Sequence, residues 1–209
     1  MPLYQIFPIE SHTKVYIWKI TESFNELFRS VVLKDVSLAR VEKMKAESHQ
    51  KGFLSVRKLL EVAGYDDFDL YYDEFGKPHL KDEKHISISH SNDFSVIAIS
   101  DFNLGIDLEI LKDKTLKLAP RYMDVSHLEN LSTEEALQKA TIIWGIKESI
   151  FKIKNEPGIS FKDHIFENQF DCNEAKCKAE LRFENQVELF EIQYQMVDNY
   201  VLVVAFECV

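Results

Sequence analysis

Cysteine is scarce in this chain: Cys172, Cys177 and Cys208 are the three among 209 residues. Their number is odd, and their spacing makes neither a CxxC nor a Cys/His metal pattern. That fits free thiols in a reducing compartment. Long apolar runs are missing as well. No stretch approaches the roughly 18 residues a membrane span needs. The start, MPLYQIFPIESHTK, also lacks the basic-then-apolar order of a signal peptide. A cytoplasmic protein with no membrane partner is expected. Positive charge is in deficit, with 25 Lys and Arg against 35 Asp and Glu and a formal net charge of −10. This balance argues against a nucleic-acid partner, whose phosphates must be met by cations. It also requires that any anionic ligand be held by a local basic cluster or a metal. No low-complexity segment or long linker divides the chain.

What is present can bury a core: 45% of the residues are hydrophobic and 12% aromatic, enough for one large domain or two small ones. VYIWKI (Val15–Ile20) reads as a strand and Ser23–Leu33 as a helix. A longer helix is predicted from about Leu38 to Val62, basic early (Arg40, Lys43, Lys45, His49, Lys51), apolar later, and stopped by Gly64. Strands follow at DLYY, HISISH and FSVIAIS, with the turn signal EFGKP between the first two. The second half repeats this outline. LGIDLEI is a strand, Leu116–Met123 a short helix, and Thr133–Lys154 a long helix opened by Ser132. Strands near ISFKDHIF, CKAELRFE, VELFEIQYQM and YVLVVAFEC complete it. The expected fold is α+β, built of two similar halves at 1–102 and 103–209 that pack tightly as one unit.

Three clusters could carry chemistry. In LGIDLEI, Asp107 and Glu109 share one strand face with Gly105, in a run that contains no basic residue. Either this is a wet edge face, or a cation sits between the carboxylates, and hard oxygen ligands suit Mg²⁺. In WGIKESIFK, Glu148 and Lys152 are i and i+4 on one side of the long helix, as a surface pair or as the lining of a cleft. In ISISHSNDF, Ser87, Ser89 and Ser91 alternate with Ile86, Ile88 and His90, and His90 is either a core residue or a phosphate donor.

SISHS, GIDLE and WGIKESIFK, preceded by Gly76, Lys77, Pro78 and Leu80, resemble in this order the 4′-phosphopantetheinyl transferases of the monomeric Sfp type. The motifs run from Gly76 to Lys152. The resemblance implies two halves related by a pseudo-twofold, with the active site in the cleft between them. It implies transfer of the phosphopantetheine arm of coenzyme A to a serine of an apo acyl or peptidyl carrier protein. Adenosine 3′,5′-bisphosphate is released. By the same likeness Asp107, Glu109 and Glu148 are metal ligands for Mg²⁺, with Glu148 also a candidate general base and Lys152 a phosphate contact. His90 and Ser89 resemble the 3′-phosphate and nucleotide contacts, with Lys77 and Pro78 near the adenine. Arg57 is the counterpart of a family arginine; Lys43, Lys45, His49 and Lys51 are either substitutes for missing ones or a solvated basic face; and Lys147 serves either substrate or helix. The family's carrier protein docks on the segment after the metal strand. Here Lys112, Lys114, Lys117 and Arg121 are basic there, and Leu116, Leu118, Tyr122 and Met123 offer apolar contact or belong to the core. The alternatives are another Mg²⁺-dependent phosphoryl- or pyrophosphate-cleaving enzyme, and a catalytically silent coenzyme A or carrier-protein binding module.

Overall fold

The computed structural model describes residues 2–9 and 12–208. They form two compact units, Met1–Phe102 and Asn103–Val209. The architecture is mixed, with helices packed on antiparallel sheets.

In the first unit, β1 (Leu3–Ile9) and β2 (Thr13–Lys19) precede α1 (Phe24–Arg29), α2 (Asp35–Lys43) and α3 (Glu47–Ala63). A hairpin of β3 (Leu70–Tyr72) and β4 (Pro78–Leu80) follows, then β5 (His85–Ser91) and β6 (Phe94–Ser100). The sheet order is β1-β2-β6-β5. Ser23 opens α1 with a capping box closed by Glu26, a motif that stabilises a helix start by about 1 kcal/mol. The apolar stripe of α3, Phe53, Leu54, Val56, Leu59 and Leu60, is buried in one cluster with Trp18, Leu27, Leu70 and Ile97. Ser55 and Ser95 join hydroxyls across that seam at 2.7 Å.

The single helix expected over Leu38–Val62 is two helices. Met44 and Ala46 are extended between α2 and α3. From Lys45 to Gly52 the sequence offers no large apolar side chain to hold a continuous helix on the core. The Val41 carbonyl at the end of α2 accepts from the Met44 N–H at 3.2 Å and also from Gln50 Nε2 of α3 at 3.1 Å, which links the two helices. Strand β1 was not foreseen. It is an outer strand whose exposed Tyr4 and Ile6 are as apolar as its inner Leu3, Phe7 and Ile9, so its apolar residues do not alternate with polar ones.

The second unit holds β7 (Leu104–Ile110), α4 (Asp113–Leu118), a 3-10 turn at Ala119–Arg121, a second at Val125–Leu128, and α5 (Thr133–Lys154). Strands β8 (Ile165–Glu167), β9 (Lys176–Phe183), β10 (Gln186–Val197) and β11 (Tyr200–Glu207) complete it. The sheet order is β7-β11-β10-β9-β8, antiparallel throughout. α5 has the predicted bounds and the predicted start: Ser132 and Glu135 make a reciprocal capping box. The expected helix Leu116–Met123 is shorter and earlier, because Pro120 has no N–H for an α-helical bond and the chain tightens into a 3-10 turn there. The expected strand at ISFKDHIF shrinks to its end. The chain turns at Ser160, whose N–H donates to His164 Nδ1 and whose carbonyl accepts from His164 N–H.

Candidate functional site

In the second unit, β7 is laid against α5 by two glycines. A Cβ built on Gly105 would stand 1.9 Å from the carbonyl oxygen of Ser149, and one on Gly145 would stand 2.6 Å from Val203 Cγ2. Without those methyl groups strand and helix backbones come together, and the face shared by Gly105, Asp107 and Glu109 turns to α5 rather than to water. Asp107 is 4% exposed. Lys152 Nζ donates to Asp107 Oδ1 and to the carbonyl of Ile106, both at 2.8 Å. Lys152 thus gives Asp107 a cationic partner, and the cation in the field of Glu109 is Lys112.

Glu109 and Glu148 stand in the same field. Burial, then the Asp107 charge, pushes the Glu109 carboxyl up to about 7, with Glu148 adding to the rise and the Trp144 indole opposing it. Burial and Asp107 likewise raise Glu148, against the opposing pull of Lys152. Three carboxylates short of positive charge are the donor chemistry a hard divalent cation takes. They are not gathered as a ready-made trio: among the described residues no three His, Cys, Asp or Glu side chains are grouped to hold a metal ion.

A pH dependence follows. Glu109 takes up its proton at a higher pH folded (about 7) than unfolded (about 4.5), so the folded state binds more protons in that window and loses stability as pH rises through it. The loss is on the order of 1–3 kcal/mol after allowing for partial exposure. Thermal unfolding from pH 4.5 to 7.5 should show this decline, and Glu109→Gln should flatten it; an unchanged slope in the variant would assign the decline elsewhere.

Lys147 is not placed for a ligand's phosphates. It is 2% exposed, its ammonium donates to the carbonyls of Phe161 (3.0 Å) and Ile165, and it pairs with Glu167 at 3.1 Å. Three donors meet three acceptors, so the side chain is used up in tying α5 to the segment before and through β8. After β7, Lys112, Lys114, Lys117 and Arg121 are exposed, whereas Tyr122 and Met123 are buried and Leu116 and Leu118 pack on the same core. Tyr122 Oη donates to the carbonyl of Ala140 at 3.1 Å, which fixes the ring inward. Most of the apolar side of this segment therefore belongs to the core, and its exposed face carries the four basic residues together with Asp113.

In the first unit, His90 is exposed, so it is not the core residue that its alternation with Ile86 and Ile88 allowed. It lies at the end of β5, where Gly52 of α3 makes room for it: a Cβ on Gly52 would be 3.2 Å from His90 Cγ. The His49 ring is 6.1 Å from that of His90, so α3 and β5 bring these two predicted residues together. Lys51, on the same turn, lies in the field of Glu26 on α1. Ser89 is buried. Lys77 and Pro78 sit on the β3–β4 hairpin, whose tip is organised by Asp73: its carboxylate accepts from the N–H groups of Phe75 and Lys77 and meets His79 Nε2 at 3.1 Å. Sequence reasoning missed His85, whose imidazole is held low by burial and then by Lys77 and His79. It marks a positive locale in an acidic chain, and its signal was the three basic residues Lys77, His79 and His85 within nine positions of one hairpin and strand.

Arg57 departs from its expected role. It is 3% exposed, with Nε on Asp67 Oδ1 at 2.9 Å, Nη1 on the carbonyl of Phe53 at 3.2 Å, and the guanidinium 3.5 Å from the Phe53 ring centre. Asp67 also accepts from Ser37 Oγ and the Lys34 N–H. Arg57 thus joins α2, α3 and the turn after α3 from inside the core and offers nothing to an anion outside it.

No protein-family model matches the chain. It is 30% identical over 107 residues to the 4′-phosphopantetheinyl transferase gsp of Aneurinibacillus migulanus, a match of 48% of this chain and 45% of that protein. It is 31% identical over 84 residues to a 4′-phosphopantetheinyl transferase of Bacillus subtilis, 38% of each chain. Over 91 residues it is 31% identical to the 4′-phosphopantetheinyl transferase psf-1 of Bacillus pumilus, 41% of this chain and 39% of that one. The matches span less than half the length of these curated relatives. Over these segments, and in the order of the SHS, GIDLE and WGIKESIFK motifs, the chain is similar to 4′-phosphopantetheinyl transferases, those of the Sfp type among them.

Proposed function

We propose that the protein transfers the 4′-phosphopantetheine arm of coenzyme A to a serine hydroxyl of an apo acyl or peptidyl carrier protein. Adenosine 3′,5′-bisphosphate leaves. The observation that carries the reading is the Lys152–Asp107 pair where β7 meets α5, with Glu109 and Glu148 in the field of the same aspartate. Attack on a diphosphate needs a base for the hydroxyl proton and positive charge beside the phosphorus. Glu148, raised by burial and Asp107, accepts the serine proton, directly or through a water. Lys152 supplies a cation next to the carboxylates and lies within reach of phosphate oxygens entering there. Mg²⁺ held by Asp107, Glu109 and Glu148 would neutralise diphosphate charge. The enzyme acts as a cytoplasmic monomer, with a pseudo-twofold relation between its halves; that each unit lays a long helix, α3 or α5, over an antiparallel sheet supports this. No helix among the described residues is long and apolar enough to cross a membrane.

Incubation of the purified protein with coenzyme A, Mg²⁺ and an apo carrier protein, read by intact mass, tests the proposal. The carrier should gain one phosphopantetheine arm. Hydrolysed coenzyme A with an unmodified carrier would point to a pyrophosphate-cleaving enzyme instead, and binding without turnover to a silent module.

The nucleotide end is assigned to His90, Ser89, His49 and Lys51, with Lys77 and Pro78 of the hairpin. Exposure of His90 beside His49 supports a phosphate contact. Coenzyme A should bind more tightly than its 3′-dephospho form, and His90→Ala should reduce that preference by roughly three- to tenfold, one charge-assisted hydrogen bond's worth. Calorimetric titration with both ligands measures it; equal weakening of the two would remove His90 from phosphate recognition.

A further inference from the structure

Behind α5, on a different side from the acidic cluster, Glu167 is 3% exposed and divides its carboxylate between two partners. Oε1 meets His127 Nδ1 at 2.9 Å, and Oε2 meets Lys147 Nζ at 3.1 Å. Lys147 holds the carbonyl of Phe161. The Phe161 ring in turn lies 5.4 Å from that of Trp144 and 5.8 Å from that of Phe151. Trp144, one turn of α5 before Lys147 and Glu148, stands close enough to Glu109 for its indole to oppose the rise of that carboxyl. A continuous set of contacts therefore runs from His127 and Glu167 through Lys147, Phe161 and Trp144 to a carboxylate of the candidate site.

This network forms part of the wall of an open cavity of about 600 Å³, also lined by Pro120, Val125, Phe166 and Arg182. Beside it Ile146 and Ile150 of α5 are buried in one cluster with Ile165, and the ion pair fixes Lys147 at the edge of that packing. Removing one partner of a buried pair leaves the other charge uncompensated.

We infer that Glu167, steadied by His127, is a positioning residue for the acidic site, fixing Trp144 against Glu109 and the projection of Glu148 and Lys152 from α5. The inference rests on the transferase reading for its catalytic consequence. Its structural half stands apart from that reading and has its own readout. The chain has two tryptophans, Trp18 in the first unit and Trp144 in the second, so the two indole N–H resonances of ¹⁵N-labelled protein report on the two units separately. Glu167→Gln keeps the shape and removes the charge that holds Lys147. It should move the Trp144 indole resonance and leave that of Trp18 in place. In the transfer assay, kcat should fall on the order of tenfold with KM for coenzyme A little changed, as a misplacement of catalytic groups requires. Glu167→Asp, which keeps the charge on a shorter stem, should recover part of both effects and serves if the glutamine variant does not fold. An unmoved Trp144 resonance would overturn the inference whether or not the protein transfers an arm. A moved resonance with unchanged kcat would also overturn it, since the network would then be structural only. If the wild-type protein transfers no arm, the transferase reading fails by itself, and the Trp144 shift still decides whether Glu167 controls the Glu109 contact.

Discussion

Replacing Gly105 by alanine is expected to lower stability by about 3 kcal/mol or more, at the upper end of what one added methyl does in a packed interior. The cause is specific. The new Cβ would lie 1.9 Å from a backbone oxygen, that of Ser149 on α5, and a backbone cannot step aside as a side chain can. Either the helix lifts from β7 or the strand twists out of register with β11, where Gly105 faces Ala205. The melting temperature should drop by roughly 6–12 °C. Gly145→Ala is the graded comparison: its Cβ would meet Val203 Cγ2 at 2.6 Å, a methyl that can rotate away, so about 1–2 kcal/mol is expected. Circular dichroism melts of the two variants separate the cases. Equal melting temperatures would mean that helix and strand can part without penalty, and that their close approach does not set the site.

Glu148→Gln should act on activity and stability in opposite directions. As the proposed base, Glu148 loses its function on amidation, and kcat for arm transfer should fall by 10²- to 10⁴-fold, with KM for coenzyme A near its original value. The same carboxyl is penalised by burial and by Asp107, so its neutral replacement relieves repulsion and the melting temperature should hold or rise. A variant that transfers the arm at near the wild-type rate would take Glu148 out of the chemistry. One that loses rate and melting temperature together would make it a structural residue.

The strongly patterned parts of the molecule were readable from the chain. The bounds of α5 and its Ser132 start follow from a capping box and a long apolar period, and LGIDLEI reads as a strand because its alternation is unbroken. The break at 44–46 carries no glycine or proline, so local propensity had no means of announcing it. Strand β1 was hidden because Tyr4 and Ile6 on its exposed face are as apolar as Leu3 and Ile9 on its inner one, which erases the period. In the site, spacing put Asp107 and Glu109 on one face and Glu148 with Lys152 on one side of a helix. Which of them touch was set by partners distant in sequence: Lys152 reaches Asp107 across 45 positions. Arg57 lies in the core against expectation, and of the two roles open to Lys147 the structure shows the helix tie, for one reason. A basic side chain in a motif looks like a ligand for phosphate, and sequence does not show that Asp67 and Glu167 wait for them inside the fold.

The order of strands β7-β11-β10-β9-β8 sets a timetable for synthesis. The strand bearing Asp107 and Glu109 pairs with β11, so Asp107 lies opposite Val203 and Glu109 opposite Val201. While a ribosome adds the intervening residues, on the order of ten seconds at ordinary rates, β7 has no strand to pair with in its own unit. During that interval two repelling carboxylates on a nascent segment oppose its premature association with other edges, as charges on exposed strands do elsewhere. Closing so long a loop is slow compared with forming a local hairpin such as β10–β11. The acidic site is therefore among the last parts of the second unit to be assembled, since it waits for β11 to be made.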